Sequence, residues 1–147
     1  MHLAAVPAQP GELASRIGAA LEQRSEVLEA YLFGSAARGE IQPHSDVDVA
    51  VYADPGRIPE GGYGYQAELT TLLMQALGRN DVDVVVLNRA SPLLYHRVLR
   101  DGVRVLSRDL ARSTTREGQA LSRYCDYVPQ LAKIEEAARR GRGDGGP

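Results

Sequence analysis

The sequence predicts an α/β domain built on a small mixed β-sheet that is flanked by helices. Segments with apolar residues at helical spacing alternate with short apolar runs typical of strands, in the order helix, strand, strand, helix, strand, helix, strand, helix. The chain has 147 residues, of which 44% are hydrophobic and 24% charged, as expected for one globular core. We therefore expect a single domain over residues 11–138 and a disordered tail over residues 139–147.

The first predicted helix is followed by a short buried strand. Pro10 marks the start of the helix, and apolar residues follow at helical spacing, namely Leu13, Ile17, Ala20, Leu21 and Val27. Residues 30–33 then form an apolar and aromatic run that Gly34 ends. Such a run predicts a short strand buried on both faces.

A second strand and a second helix are predicted in the middle of the chain. Polar and apolar residues alternate over residues 46–52, which is the pattern of a strand with one face in a core. A loop rich in Gly and Pro follows over residues 54–64. Residues 65–77 then form a predicted helix that ends at Gly78.

The C-terminal half contains two more predicted strands and two more predicted helices. The third strand is the apolar run over residues 82–87, and Ser91 caps a helix that continues to residue 101. A fourth strand is predicted over residues 103–107. A long helical segment begins at about Leu110, and we expect Pro129 to bend or break it.

Charge and cysteine content exclude several classes of protein. A net charge of −2 argues against a domain that holds nucleic acid through its overall field, so no direct nucleic-acid contact is expected. Cys125 is the only cysteine, which excludes intrachain disulfides and thiolate metal clusters and fits a reducing cytoplasm. We expect it to be a small, half-buried apolar side chain. No apolar run approaches the roughly 20 residues that span a bilayer, and residues 1–10 lack the basic start of a signal peptide.

Three aspartates indicate a cation site. Asp46 and Asp48 are two apart in a predicted strand, so their carboxylates project from one face about 6.5–7 Å apart along the chain. Asp83 lies in the third strand among apolar neighbours, where an unpaired carboxylate is costly to desolvate. If these strands are neighbours, the three carboxylates converge, and oxygen ligands alone favour Mg²⁺ or Mn²⁺ over zinc. The alternative is that the first two aspartates only form the exposed side of an edge strand.

Two residues are candidates for the third carboxylate of the site, Asp83 and Asp81. Asp81 lies on the same face as Asp83, but it borders the turn formed by Arg79 and Asn80. We favour Asp83 because it lies within the apolar run.

A phosphate-binding turn is predicted upstream of the aspartates. Gly34 allows the backbone to turn and a ligand to approach closely, and Ser35 offers a hydroxyl beside the free N–H groups of the following turn. The segment is not a P-loop, because no Gly-Lys-Ser/Thr follows. Arg38 in the same loop either contacts a phosphate or is a solvated loop arginine, and the sequence leaves both open.

These residues carry a family resemblance. Gly34-Ser35, ten intervening residues and then Asp46-Val47-Asp48 resemble the signature of the nucleotidyltransferase superfamily, which includes DNA polymerase β and the kanamycin nucleotidyltransferases. Longer segments resemble the minimal nucleotidyltransferases. They are GSAARGEIQPHSDVDVAVY, VDVVVLNRASPLLYHRVLRDGVRVLSRD and the late pairs Arg-Tyr at 123–124 and Asp-Tyr at 126–127. More narrowly, they resemble the MntA antitoxins paired with HEPN-domain toxins. The resemblance covers residues 12–130.

The resemblance implies a polymerase β-like fold and a reaction. Asp46 and Asp48 would hold two Mg²⁺ ions, Gly34 and Ser35 would position the outer phosphates of ATP, and Asp83 would complete the site as a ligand or proton acceptor. In-line attack on the α-phosphate would transfer AMP and release pyrophosphate. In MntA-type systems the acceptor is a tyrosine of the HEPN toxin, a ribonuclease that AMP transfer silences.

Three functions remain open at this level. Beside an adenylyltransferase antitoxin with a HEPN partner, the chain could be an antitoxin or regulatory subunit that only binds, or a small-molecule nucleotidyltransferase with a separate acceptor-binding subunit. The intact carboxylates argue against the binding-only alternative. Little of the chain remains after the fourth strand to hold an acceptor, so we expect the acceptor to come with another chain. An apolar stripe on the last helix either docks a helical partner or, as we expect, packs on the domain's own sheet; it comprises Leu121, Tyr124, Cys125 and Val128.

Overall fold

The computed structural model describes residues 10–37, 46–59 and 63–144. Within these ranges four strands form one sheet: β1 (Val27–Phe33), β2 (Val47–Ala53), β3 (Val82–Val86) and β4 (Val103–Ser107). Four α-helices flank it: α1 (Pro10–Glu22), α2 (Tyr63–Leu77), α3 (Pro92–Asp101) and α4 (Leu110–Asp144). The α/β fold class and the order of elements predicted from the sequence are confirmed.

The sheet is mixed, and its strand order is β3-β2-β1-β4. β1 runs antiparallel to both β2 and β4, whereas β2 and β3 are parallel. β1 therefore lies inside the sheet with helices on both faces, and five of its seven residues are buried. The predicted strand buried on both faces is confirmed, and its position explains why the run is apolar at nearly every residue.

Each face of the sheet is covered by a pair of helices. On one face, α1 and α2 pack against β1, β2 and β3 through a core that includes Leu13, Ile17, Leu69, Leu73, Val49 and Val84. On the other face, α3 and α4 form a smaller core with the sheet, which includes Tyr31, Ala50, Tyr95, Val98 and Ala120. Residues at even positions of β2 face the smaller core, because successive side chains of a strand alternate between faces. Asp48 therefore lies on the same face as Ala50.

The first helix is shorter than the sequence predicts. α1 ends at Glu22, and backbone hydrogen bonds from Arg24 N to Leu21 O and from Val27 N to Arg24 O turn the chain into β1. Val27, assigned to the helix by its spacing, is instead the first residue of the strand and pairs with Ala53. The spacing was misleading because a fully buried strand also carries apolar residues at its ends.

The third helix begins as predicted. Ser91 accepts a hydrogen bond from Leu94 N at 3.2 Å, and Pro92 occupies the first helical position. The helix ends at Asp101, and Gly102 donates its backbone N–H to Val98 O. A side chain at this glycine would collide with Val98 O, so only glycine allows the chain to pass directly into β4.

The last helix is continuous through Pro129 and reaches Asp144. Proline removes one N–H from the helical ladder, and in this helix that loss does not end it. Of the two effects predicted for Pro129, a bend or a break, the break is therefore wrong. The helix also extends into residues 139–147, the segment that the sequence marks as a tail.

The apolar stripe of α4 does not pack on the domain's own sheet. Leu121, Cys125 and Val128 are exposed. Tyr124 is half-buried and stacks on the ring of His96 from α3, with ring centroids 3.6 Å apart. The expectation of an internal packing face is therefore wrong for the three exposed residues, and so is the expectation that Cys125 is half-buried. None of the described helices combines the length and apolar character needed to cross a membrane.

Candidate active site

Two of the predicted site residues are direct neighbours across the sheet. Asp48 on β2 pairs with Asp83 on β3 in the parallel ladder. Side chains at paired positions of adjacent strands project from the same face, so the two carboxylates lie side by side. Asp46 directly precedes β2 and is exposed. The condition set by the sequence, that the two strands are neighbours, is met.

The glycine turn lies against the Asp48 carboxylate. Phe33, the last residue of β1, pairs with Asp48, and Gly34 follows with a φ of 76°. A Cβ at residue 34 would collide with Asp48 Oδ2, and side chains rarely adopt this backbone conformation. Glycine at this position therefore allows the positive φ of the turn and leaves room for the Asp48 carboxylate. Ser35 follows in the same turn and is half-buried.

The electrostatics of the site favour a cation. Burial raises the pKa of Asp48 above its ordinary value, and the negative charges of Asp83 and Asp46 raise it further. A positive ion between such carboxylates would remove this repulsion and stabilise the charged form. The arrangement thus fits an oxygen-ligated divalent cation, with Asp48 and Asp83, in register on adjacent strands, as donors.

The side chains as positioned do not provide a complete set of metal ligands. Among the described residues, no group of three or more His, Cys, Asp or Glu side chains has the geometry to hold a metal ion. Asp46 is exposed and raises the pKa of Asp48 through its charge, which makes it the remaining candidate donor. Phosphate oxygens of a nucleotide are further ligands that Mg²⁺ commonly takes.

Asp83 differs from the sequence expectation in one respect. It is exposed, although its neighbours Val82 and Val84 are buried. The desolvation cost anticipated for Asp83 falls instead on Asp48, which lies in a central strand. A short apolar run shows that one face of a strand is buried. Whether the other face is exposed depends on which helices cover it.

Asp81, the competing third carboxylate, is engaged elsewhere. Arg79 donates to its two oxygens at 2.7 and 2.6 Å. This guanidinium holds the pKa of Asp81 below its usual range. Asp81 is therefore part of an ion pair at the start of β3, whereas Asp83 is the residue in register with Asp48.

Arg38, the predicted phosphate contact, lies outside the described residues, as does the rest of the loop over residues 38–45.

A buried carboxylate that the sequence reasoning missed lies on β1. Glu29 is fully buried and binds Arg116 of α4 at 2.6 Å. The signal was present, because Glu29 is the one charged residue within the apolar run VLEAYLF.

The site lies within a region that matches a known protein family. The polymerase beta nucleotidyltransferase family matches residues 15–111, which is more than half of the chain. These residues contain β1, β2, β3 and β4 and the aspartates discussed above. No curated protein matches the chain at a significant level.

Solved structures share the architecture. A chain from a toxin-antitoxin complex crystallised with AMP-PNP superposes with a TM-score of 0.69 at 26% identity, covering 85% of this chain and 98% of its own length. A chain from the Shewanella oneidensis complex of tri-AMPylated HEPN toxin with MNT antitoxin gives 0.65 at 24% identity, covering 88% and 98%. A structure described as a minimal nucleotidyltransferase gives 0.53 at 31% identity, covering 65% and 95%.

Proposed function

The chain belongs to the polymerase beta nucleotidyltransferase family, and from this premise we propose that it is the antitoxin of a HEPN/MNT pair that transfers AMP from ATP to a tyrosine of its HEPN partner. The observation that carries the proposal is the pairing of Asp48 with Asp83 beside the Gly34 turn. Neighbouring carboxylates next to a turn that a ligand can approach closely are what a metal-bound triphosphate requires.

ATP is the proposed nucleotide. The turn at Gly34 and Ser35 lies at the end of β1 against the Asp48 carboxylate, and its backbone N–H groups are the proposed donors to the outer phosphates. The structural neighbour at 26% identity was crystallised with AMP-PNP, an ATP analogue, which supports an adenine nucleotide. Arg38 follows in sequence and is a further candidate for a phosphate contact.

Mg²⁺ is the proposed cofactor, as two ions, with Mn²⁺ as an effective substitute. The residues that would hold it are Asp46, Asp48 and Asp83, because all three offer carboxylate oxygens. The negative charges of the other two already raise the pKa of Asp48, and a cation would relieve this repulsion. When bound, Mg²⁺ neutralises phosphate charge and lowers the pKa of a nearby hydroxyl.

One of the chain's own residues takes up the proton of the acceptor. A tyrosine hydroxyl has a pKa of about 10, so its proton must leave as the oxygen attacks. Asp83 is exposed and adjacent to Asp48, which suits it to accept that proton from an incoming side chain. The acceptor oxygen forms a bond to the α-phosphorus, the bond from that phosphorus to the bridging oxygen breaks, and pyrophosphate leaves.

A HEPN protein is the proposed partner. Solved complexes of this fold include toxin-antitoxin pairs, one with an AMPylated HEPN toxin. The exposed side chains of α4, among them Leu121 and Val128, leave apolar surface available for a second chain.

The experiment weighs both proteins intact. The chain is co-expressed with a HEPN protein that co-purifies with it, and the complex is incubated with ATP and Mg²⁺ and then weighed by mass spectrometry. A gain of one or more AMP groups on the HEPN chain, absent with Asp48→Asn although the complex still forms, is the expected result. A stable complex without any mass gain indicates an antitoxin that only binds. Modification of an added small molecule instead indicates the antibiotic-type activity, and either outcome overturns the proposal.

A further inference from the structure

A cavity lies at the end of the sheet opposite to the carboxylates. It has a volume of about 540 Å³ and is formed where β2 and β3 end, between the sheet and α4. Its polar lining comprises Tyr52, Asn88, Tyr95, Arg116, Gln119 and Arg123. This volume falls within the range of pockets that hold small organic ligands.

The cavity is separate from the candidate active site. None of the residues that line it belongs to the carboxylate cluster or to the Gly34 turn. Tyr52 and Asp48 lie on the same face of β2 but four residues apart, which corresponds to about 13 Å along the strand. Ala50 lies between them and is fully buried in the core to which Tyr95 also belongs, so the two sites do not connect along this face.

The lining of the cavity is positively charged. Arg116 and Arg123 contribute guanidinium groups, and no Asp or Glu lines the cavity. Arg116 uses Nε and Nη2 for the buried Glu29, which leaves Nη1 outside that pair. Arg123 lies over the ring of Tyr95, with Cζ 5.7 Å from the ring centroid, and forms no ion pair within the described part of the chain. An anion is therefore the ligand that the charges favour.

One buried donor in the cavity lacks a partner. Tyr95 is 3% exposed, and its hydroxyl is buried without any hydrogen bond. Burial raises the pKa of this hydroxyl to about 12, with further contributions from Glu29 and Tyr52 and opposing ones from Arg123 and Arg116. It is therefore a protonated donor at neutral pH, close to other lining groups. Buried hydroxyls in proteins are almost always hydrogen-bonded, so an orphaned one beside a cavity indicates a missing acceptor.

We propose that this cavity binds a small phosphomonoester that carries a planar ring, of the size of a nucleoside monophosphate. The phosphate accepts hydrogen bonds from the Tyr95 hydroxyl and from the guanidinium groups of Arg123 and Arg116, three donors that suit its three terminal oxygens. Arg116 lies over the ring of Tyr52, with Cζ 4.9 Å from the ring centroid, so the ring of the ligand packs beside this pair, where Gln119 offers an amide for its polar atoms. Because α3 and α4 both contribute donors, the ligand joins these two helices beside the end of the sheet.

The test uses AMP as the probe in a buffer with EDTA. Binding is measured by calorimetry on the full-length chain, with adenosine and inorganic phosphate as component probes. We expect saturable AMP binding that Arg123→Gln weakens about tenfold or more, which is the effect of losing one charge-assisted hydrogen bond. Arg112→Gln, at an exposed arginine of the same helix, is the matched control and should bind AMP as the wild type does.

Tyr95→Phe separates ligand binding from a structural role. Removing an unpartnered buried hydroxyl should leave the melting temperature of the ligand-free chain unchanged or higher, yet it should reduce the increase that AMP produces. Asp48→Asn should not affect AMP binding in EDTA. The proposal is overturned if AMP does not bind saturably, if Asp48→Asn rather than Arg123→Gln abolishes binding, or if Tyr95→Phe retains the full effect of AMP.

Discussion

Glu29, a fully buried carboxylate on β1, is held through both oxygens by Arg116 of α4 at 2.6 and 2.7 Å. Ser113 adds a hydrogen bond at 2.9 Å, so the centre of the sheet is joined to α4 by a charged network. Because Arg116→Ala leaves a buried charge uncompensated, we expect it to lower the free energy of unfolding by about 3–5 kcal/mol. Urea denaturation followed by circular dichroism measures this change.

Arg112 provides the control on the same helix. Its ion pair with Asp109 is exposed and 3.6 Å long. Arg112→Ala should therefore change the free energy of unfolding by less than about 1 kcal/mol. Equal losses in the two variants would show that the buried pair has no special role.

Glu26 should make stability depend on acid pH. Its carboxylate is almost fully buried, which raises its pKa, but hydrogen bonds from the backbone, Tyr65 at 2.8 Å and Arg24 at 3.0 Å bring the pKa below its ordinary value of 4.5. The stabilisation is present above the unfolded pKa and is lost as pH falls through the lower folded pKa. We expect Glu26→Gln to be less stable than the wild type at pH 7, and the difference to shrink below about pH 4.

Thermal melts from about pH 2.5 to about pH 7 check this expectation, because a carboxylate titrates within that range. Glu68→Gln is the control, because its side chain is exposed and contacts Arg24 only at 3.5 Å. It should retain the pH dependence of the wild type. A constant difference between Glu26→Gln and the wild type at every pH would contradict the assignment.

Alanine substitutions at Gly34 and Gly78 separate the effect of backbone strain from the effect of contact with the site. Both have positive φ, 76° and 65°, but only at Gly34 would a Cβ meet a neighbour, the Asp48 carboxylate. Alanine at either position should cost about 1–2 kcal/mol of stability through the backbone. We expect only Gly34→Ala to abolish nucleotidyl transfer as well, measured as AMP incorporation. Comparable activity in the two variants would mean that the turn is not part of the site.

Substitutions of Asp83, within β3, and Asp81, directly before it, form a second matched pair of variants. Asp83→Asn removes the carboxylate in register with Asp48, and we expect transfer to fall by about 10²-fold or more. Asp81→Asn weakens only the ion pair with Arg79, so most of the activity should remain. The rate of AMP incorporation at saturating ATP and Mg²⁺ is the measurement. Greater loss with Asp81→Asn would assign the third carboxylate to Asp81 instead.

The sequence by itself determined the fold class, the order of elements and the identity of most candidate residues. The β-strand over residues 103–107 and the cap at Ser91 were predicted at their observed positions, because turn, capping and alternation signals are local. The spacing from Gly34 to Asp48 indicated a phosphate and cation site, because a glycine turn and an alternation of aspartate with valine are both local patterns. Of the two aspartates, only Asp48 lies within β2, and Asp46 directly precedes it.

Only the tertiary structure decided which of these residues meet. The register of β2 against β3 pairs Asp48 with Asp83 rather than with Asp81, and no local pattern encodes a register between strands that are 35 positions apart. Burial was decided in the same way. Asp48 is desolvated because its strand is central, whereas Asp83 stays exposed. Leu121 is exposed although Ala120 beside it is buried, because the two residues point to different sides of α4. The cavity at Tyr95 also exists only through the packing of α4 against the sheet, since its lining comes from segments distant in sequence.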